Sequence, residues 1–365
     1  MTLADLDVSE ARFRTSAGVF GAMRTACETS PHLATFETIG HSEEGRPIAG
    51  VTLGTGPAVV SLVAGAHADE PVGPETLRTL VLEGLAAQGW GAPADDGGGG
   101  LDALFERVTF RIVPHVNPDA EARNAPWIAA FDAGDAEATL AAYLRHRLRE
   151  PPGRDVEFAY PDARPETAAA TAFLFAAGPP VLHASLHGMG FAEGALLLID
   201  RDHLLAPATE ALRDGFRRAA SAAGLRLHDH DRGGDKGFLY GGPGFTSTPL
   251  GAAMRSHFEA LGDAETAARF GLSSMETAAR AAPGVLSVVT ELPLFVLDAE
   301  TDRTDGVPAL LDRWTAAAPA VAAALGAGET LAPFIGALGM RVLGVPEAVR
   351  LHLRTLDLAL DAALA

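Results

Sequence analysis

Ala58-Val59-Val60-Ser61-Leu62-Val63-Ala64-Gly65-Ala66-His67-Ala68-Asp69-Glu70 decides how the rest of the chain is read. Its first seven residues are small or β-prone and almost all apolar, without the alternation of a strand that keeps one wet face. They read as a strand buried on both faces, the kind found at the centre of a parallel sheet. The polar residues after Gly65 then stand at the carboxyl end of that strand, where open α/β sheets hold their ligands. His67 and Glu70 can aim an imidazole nitrogen and a carboxylate oxygen at one point, a donor pair suited to zinc. A catalytic zinc needs one more protein ligand and an open position for water.

The third donor lies far downstream. Val181-Leu182-His183-Ala184-Ser185-Leu186-His187-Gly188 is another short apolar run, ending in a histidine and a glycine. His183 and His187 share a strand face by the two-residue alternation, but His187 sits at the carboxyl end and is taken as the ligand. Val285-Leu286-Ser287-Val288-Val289-Thr290-Glu291-Leu292-Pro293 carries one carboxylate in an apolar strand. Such a charge costs several kcal/mol unless it is paired or working, so Glu291 is the candidate general base.

In the order His67-x-x-Glu70, His187, Glu291 the chain resembles the zinc carboxypeptidases of the carboxypeptidase A type. Ile39-Gly40-His41-Ser42-Glu43-Glu44-Gly45-Arg46-Pro47-Ile48 is similar to that family's IGxSxEGRPI strand, Val116-Asn117-Pro118-Asp119 to its NPDG turn, and Arg164-Pro165-Glu166-Thr167 to its PET helix start. The resemblance implies one Zn²⁺ per chain on His67, Glu70 and His187, with Glu291 as general base and a peptide or small amide as substrate. It also implies that Asp155 holds the ring of the first histidine ligand by a hydrogen bond.

The departures from the family pattern concern the substrate pocket. Where the family has Asp-x-Asn-Arg-Asn-Phe-Pro, whose Asn and Arg grip a terminal carboxylate, this chain reads Asp155-Val156-Glu157-Phe158-Ala159-Tyr160-Pro161. A carboxylate repels a carboxylate that a planar Arg would bind, so Glu157, Phe158 and the nearby Asp69 are expected to turn the pocket toward amide, amine-bearing or modified substrates. Arg123 is the candidate for polarising the scissile carbonyl, and Tyr240 for the tyrosine that closes over substrate. Arg232, just before the Gly-rich loop Gly233–Gly244, and Lys236 within it, the chain's single lysine, offer a carboxylate anchor. Two other readings stay open. One is an acyl-amino-acid deacylase resembling aspartoacylase or succinylglutamate desuccinylase; the other is a non-catalytic relative that kept the fold.

With 365 residues, 48% of them hydrophobic, the chain can bury a large single core. Short apolar runs alternate with Ala-rich helical segments, which gives the α/β class: a mixed, mostly parallel twisted sheet flanked by helices on both faces. A catalytic domain is expected over 1–303, followed by a helical C-terminal extension over 304–365 that packs on the core or forms a homo-oligomer contact. Helices are expected over 8–27, 73–87, 135–149, 165–177, 205–223 and 265–281, and a loop over 91–100. The net charge of −19 argues against nucleic acid and anionic membranes as partners. The lone Cys27 excludes an internal disulfide framework. No run reaches the ~18 apolar residues of a membrane span. The opening Met1–Asp7 lacks the basic and apolar regions of a signal peptide, so a cytoplasmic location is expected.

Overall fold

The computed structural model describes residues 2–87, 100–154, 156–298 and 309–365. The loop expected over 91–100 therefore lies, except for Gly100, outside the described residues. Among the described residues ten strands are present: β1 Ala34–His41, β2 Pro47–Leu53, β3 Ala58–Ala64, β4 Val108–Val113, β5 Leu182–Ala192, β6 Gly194–Ile199, β7 Arg226–Leu227, β8 Phe245–Ser247, β9 Leu286–Val296 and β10 Arg341–Val342. The helices are α1 Ser16–Thr29, α2 Val72–Ala86, α3 Leu101–Arg107, α4 Pro118–Ala129, α5 Ala136–His146, α6 Pro165–Leu174, α7 Glu210–Ala222, α8 Gly251–Ala260, α9 Ala264–Ala267, α10 Ser274–Ala281, α11 Ala309–Ala327, α12 Ala332–Leu338 and α13 Val345–Leu364.

The sheet runs β1-β2-β4-β3-β5-β9-β6-β7, with β10 added beside β9 and β8 beside β6. Its centre, β4-β3-β5-β9, is parallel, and antiparallel strands flank it. The expected mixed, mostly parallel sheet is what forms. β4 follows β3 on one side while β5 lies on its other side, so the order reverses at β3 and leaves a crevice at the carboxyl ends of β3 and β5. β3 is buried on both faces, as its composition requires. Val60, Leu62 and Ala64 enter a core with residues of α2, α7 and α13, while Val63 enters another with Ala170, Phe173 and Leu174 of α6.

Helix starts follow local capping chemistry, which corrects two boundaries. α1 begins at Ser16 and not near residue 8, because the Thr15 hydroxyl accepts from Gly18 N at 3.3 Å. Upstream of it, Leu3, Leu6 and Val8 are buried, and Asp357 of α13 accepts from Leu3 N and Ala4 N at 2.9 and 3.0 Å. The single helix expected over 265–281 is two, α9 and α10. Ser273 and Glu276 form a reciprocal capping box that starts α10 afresh. Just before it, Gly271 N donates to Phe158 O at 2.7 Å, and a Cβ at Gly271 would stand 2.7 Å from that same oxygen. The break in the helix thus pins the segment around Phe158.

The C-terminal part of the chain joins the same sheet and core. β10 pairs with β9, and α13 packs on α2 and α7 with Val349, Leu353, Leu356 and Leu360 buried. Among the described residues no helix is long and apolar enough to cross a membrane.

Candidate metal centre

His67 and Glu70 leave β3 in a tight turn closed by Glu70 N donating to His67 O at 3.1 Å. The turn needs Gly65, whose φ is +79° and whose place for a Cβ would fall 2.4 Å from His115 Nδ1. His187 comes from β5, in register with Glu291 on the neighbouring parallel strand β9. The three strand ends bring four polar side chains of distant sequence to one crevice.

The donor atoms converge. His67 Nδ1 lies 3.1 Å from Glu70 Oε1, His187 Nδ1 lies 3.0 Å from Glu70 Oε2, and the two Nδ1 atoms are 3.3 Å apart. Nitrogen and oxygen ligands about 2.0–2.1 Å from a tetrahedral zinc would be roughly 3.3–3.4 Å from one another, so the three donors fit that ion with little adjustment. The far nitrogen of His187 supports the same tautomer. Its Nε2 faces Ser185 Oγ at 2.8 Å and Glu157 Oε2 at 3.3 Å, acceptors for an N–H that leaves Nδ1 as the lone-pair donor. Among the described residues this is the group of His, Cys, Asp and Glu side chains spaced to hold a metal.

Electrostatics divide the two carboxylates of the crevice. Burial pushes Glu70 up, but His67 and His187 outweigh it and hold the carboxyl well below the usual range. Burial raises Glu291, and the charge of Glu70 adds to that. Glu291 Oε2 is shielded from solvent and has no hydrogen-bond partner among the described residues. Burial would lower His187, but Glu157 and Glu70 raise it well above an ordinary imidazole.

A cleft of about 680 Å³ opens over these four residues, within the size range of small-ligand sites. The structure distributes the sequence candidates unevenly around it. Asp155 lies outside the described residues. Glu157, expected as a substrate-facing group, lines the cleft and is buried with its carboxylate 3.3 Å from His187 Nε2. Phe158 packs against Phe270, ring centroids 5.1 Å apart, and forms part of the apolar wall. Asp69 is buried at the cleft with Arg147 Nε 4.0 Å away, and burial followed by Glu70 raises its pKa.

Arg123 is not brought to the cluster. Beyond Asp119 the buried positions of α4 are 120, 121, 124, 127 and 128, one helical stripe, and Arg123 falls on the opposite, exposed side, where it pairs with Glu44. Tyr240 is also exposed, donates its hydroxyl to Asp229 and does not line the cleft. Other cations line the cleft. Arg147 and Arg149 follow α5 and line the cleft; Arg147 donates to Tyr143 Oη at 3.1 Å. The signal for them was the basic end of the 135–149 helical pattern. Asn117 ties this segment in place, capping α4 through Ala120 N at 3.3 Å and donating to Glu150 at 2.6 Å.

The Gly-rich loop supplies Arg232 and Lys236 to the cleft wall. Arg232 stacks over Phe238, 4.3 Å from its centroid. Lys236 holds a φ of +52°, alone among the described non-glycine residues in the left-handed region, between Gly234 and Gly237, which share it. A lysine in that conformation is strained, and such outliers gather at ligand sites. The cleft lining is also aromatic, with Trp314 of α11 stacked on Phe191 at 3.8 Å.

The family model described as zinc carboxypeptidase matches residues 21–124, which include His67 and Glu70. No curated protein sequence matches the chain. Among solved structures, carboxypeptidase A from Helicoverpa armigera is similar over 100% of this chain and 75% of its own, at 13% identity and a TM-score of 0.50. That likeness is one of fold. A metallo-carboxypeptidase from Burkholderia cenocepacia aligns with 94% of this chain and 68% of its own at 18% identity and a TM-score of 0.47. The family model covers residues 21–124 of this chain, and the fold agrees with that of carboxypeptidase A.

Proposed function

We propose that the protein hydrolyses peptide or small amide bonds with one zinc ion on His67, Glu70 and His187. The observation that carries this reading is the convergence of three donor atoms within 3.3 Å beside a carboxylate whose buried oxygen has no partner. Zinc bound there supplies a Lewis acid that polarises a carbonyl and acidifies water. Glu291 takes the proton that the attacking water gives up and returns it to the leaving amine. Glu157 and Ser185 hold the His187 ring so that its Nδ1 stays a donor to the metal. Arg147, at the cleft beside Asp69, is the cation we assign to the developing oxyanion in place of Arg123.

The substrate's free carboxylate is anchored by the Gly-rich loop. Glu157 turns inward to His187, so residues 157 and 158 present no cation to substrate. Arg232 and Lys236 line the cleft with no ion pair among the described residues, and a bidentate guanidinium suits a carboxylate. The test is digestion of a peptide library by zinc-loaded protein, each peptide as free acid and as C-terminal amide, with Arg232→Ala in parallel. Loss of single residues from free acids, with KM raised at least tenfold in the variant, is the expected result. Equal cleavage of the amides would remove the anchor, and no cleavage of either would remove the hydrolase.

A further inference from the structure

A second concave site lies between α7 and α13 and shares no lining residue with the zinc cleft. Its volume is about 820 Å³. The floor is made of small residues, Gly215, Ala219, Ala222 and Ala223, and the rim carries four arginines, Arg218, Arg341, Arg350 and Arg354, against one carboxylate, Glu347. In a chain with 28 basic and 47 acidic residues, this balance runs against the composition.

Several arginines elsewhere have their charge met by a carboxylate. Arg78 lies 2.6 Å from Glu121, and even the exposed Arg226 finds Asp298 at 3.1 Å. None of the four rim arginines makes an ion pair among the described residues. Asp7 and Asp357 are near enough to feel the charges of Arg350 and Arg354, while accepting from Ser9 N and from Leu3 N and Ala4 N. Arg341 is oriented by donating to Gly224 O at 2.9 Å, and Arg350 and Arg354 stand one turn apart on α13, on the same helix face.

We propose that this groove binds a small phosphorylated molecule, its phosphates on the arginine rim and its organic part on the alanine floor. Guanidinium groups form paired, charge-assisted hydrogen bonds with phosphate oxygens, and the volume is that of a small-molecule site rather than of a flat contact surface. The alanine side chains leave room above the floor for a ring or short chain. A free metabolite and a lipid headgroup share this chemistry, and the experiment separates them.

Isothermal titration of the zinc-loaded protein with pyrophosphate and with ATP is compared for the parent, Arg350→Ala/Arg354→Ala and Arg218→Ala. Saturable binding of either probe that weakens at least tenfold in the double variant, with circular dichroism and peptide hydrolysis retained, is the expected result. Binding that the substitutions leave unchanged belongs elsewhere, the zinc site included, and overturns the proposal, as does the absence of saturable binding. Co-flotation with phosphatidylglycerol vesicles is the lipid arm. Vesicle binding without binding of either soluble probe would overturn the small-molecule reading.

Discussion

Midway along β5, His183 sits between two hydroxyls, Ser61 Oγ at 2.8 Å and Ser274 Oγ at 3.1 Å. Four residues on, at the carboxyl end of the strand, His187 meets carboxylates at both nitrogens, Glu70 at 3.0 Å and Glu157 at 3.3 Å. Both rings are buried. Burial alone pushes His183 down to about 3, so it is a neutral, hydrogen-bonded part of the core. The carboxylates reverse that effect at His187 and raise it. The comparison teaches that depth of burial does not make a histidine functional; the charges arranged around it do.

The sharpest break would come from the base that shares His187's crevice. Glu291→Gln should lower kcat by a factor on the order of 10²–10⁴ while zinc content, read by mass spectrometry of the metal, stays at the parental level. Turnover close to the parent would remove Glu291 from the reaction. Next in size, Glu157→Gln should weaken zinc binding by roughly 10–100-fold in a competition with a chelator, because it takes the charge from behind the ligand ring. Unchanged affinity would mean that this carboxylate does not tune the metal.

On the other side of the comparison, His183→Asn should retain zinc and catalysis. It should cost about 1–3 kcal/mol in urea unfolding, since Ser61 and Ser274 lose a fitted partner. Loss of zinc there would erase the distinction between the two histidines.

The smallest effect is in pH. His183 and His352, both buried by the fold, hold folded values of about 3 against about 6.5 when unfolded. Above pH 6.5 both states are neutral and stability is unaffected by these groups. Below it the unfolded chain binds protons that the folded chain refuses, so stability falls as pH drops from about 6.5 toward 3. The urea midpoint of the parent should decline across that window, and less steeply for His183→Asn. Equal slopes would show that His183 does not contribute.

Much of the ligand set was legible because its signals are local. The apolar run 58–64 gives a buried strand, Gly65 ends it, and His67 and Glu70 follow at once. The second and third strands repeat that logic for His187 and Glu291. Spacing along the chain failed where the outcome depended on which way a helix turns. Arg123 lies soon after the Asn117 turn, yet the stripe of α4 that packs inward excludes it. Arg147 is further along the chain, but α5 ends at His146 and returns the next residues to the cleft.

By itself the sequence determined the class of fold and singled out three candidate donors and a candidate base, since short-range hydrophobic pattern and residue chemistry specify strands and what stands at their ends. Only the tertiary structure decided that the Glu157 carboxylate lies against His187. It also decided that the cleft's cations are Arg147, Arg149, Arg232 and Lys236, and that four arginines of α7, β10 and α13 share a groove. Those outcomes depend on helix phase and on contacts between residues far apart in the chain, which no local pattern encodes.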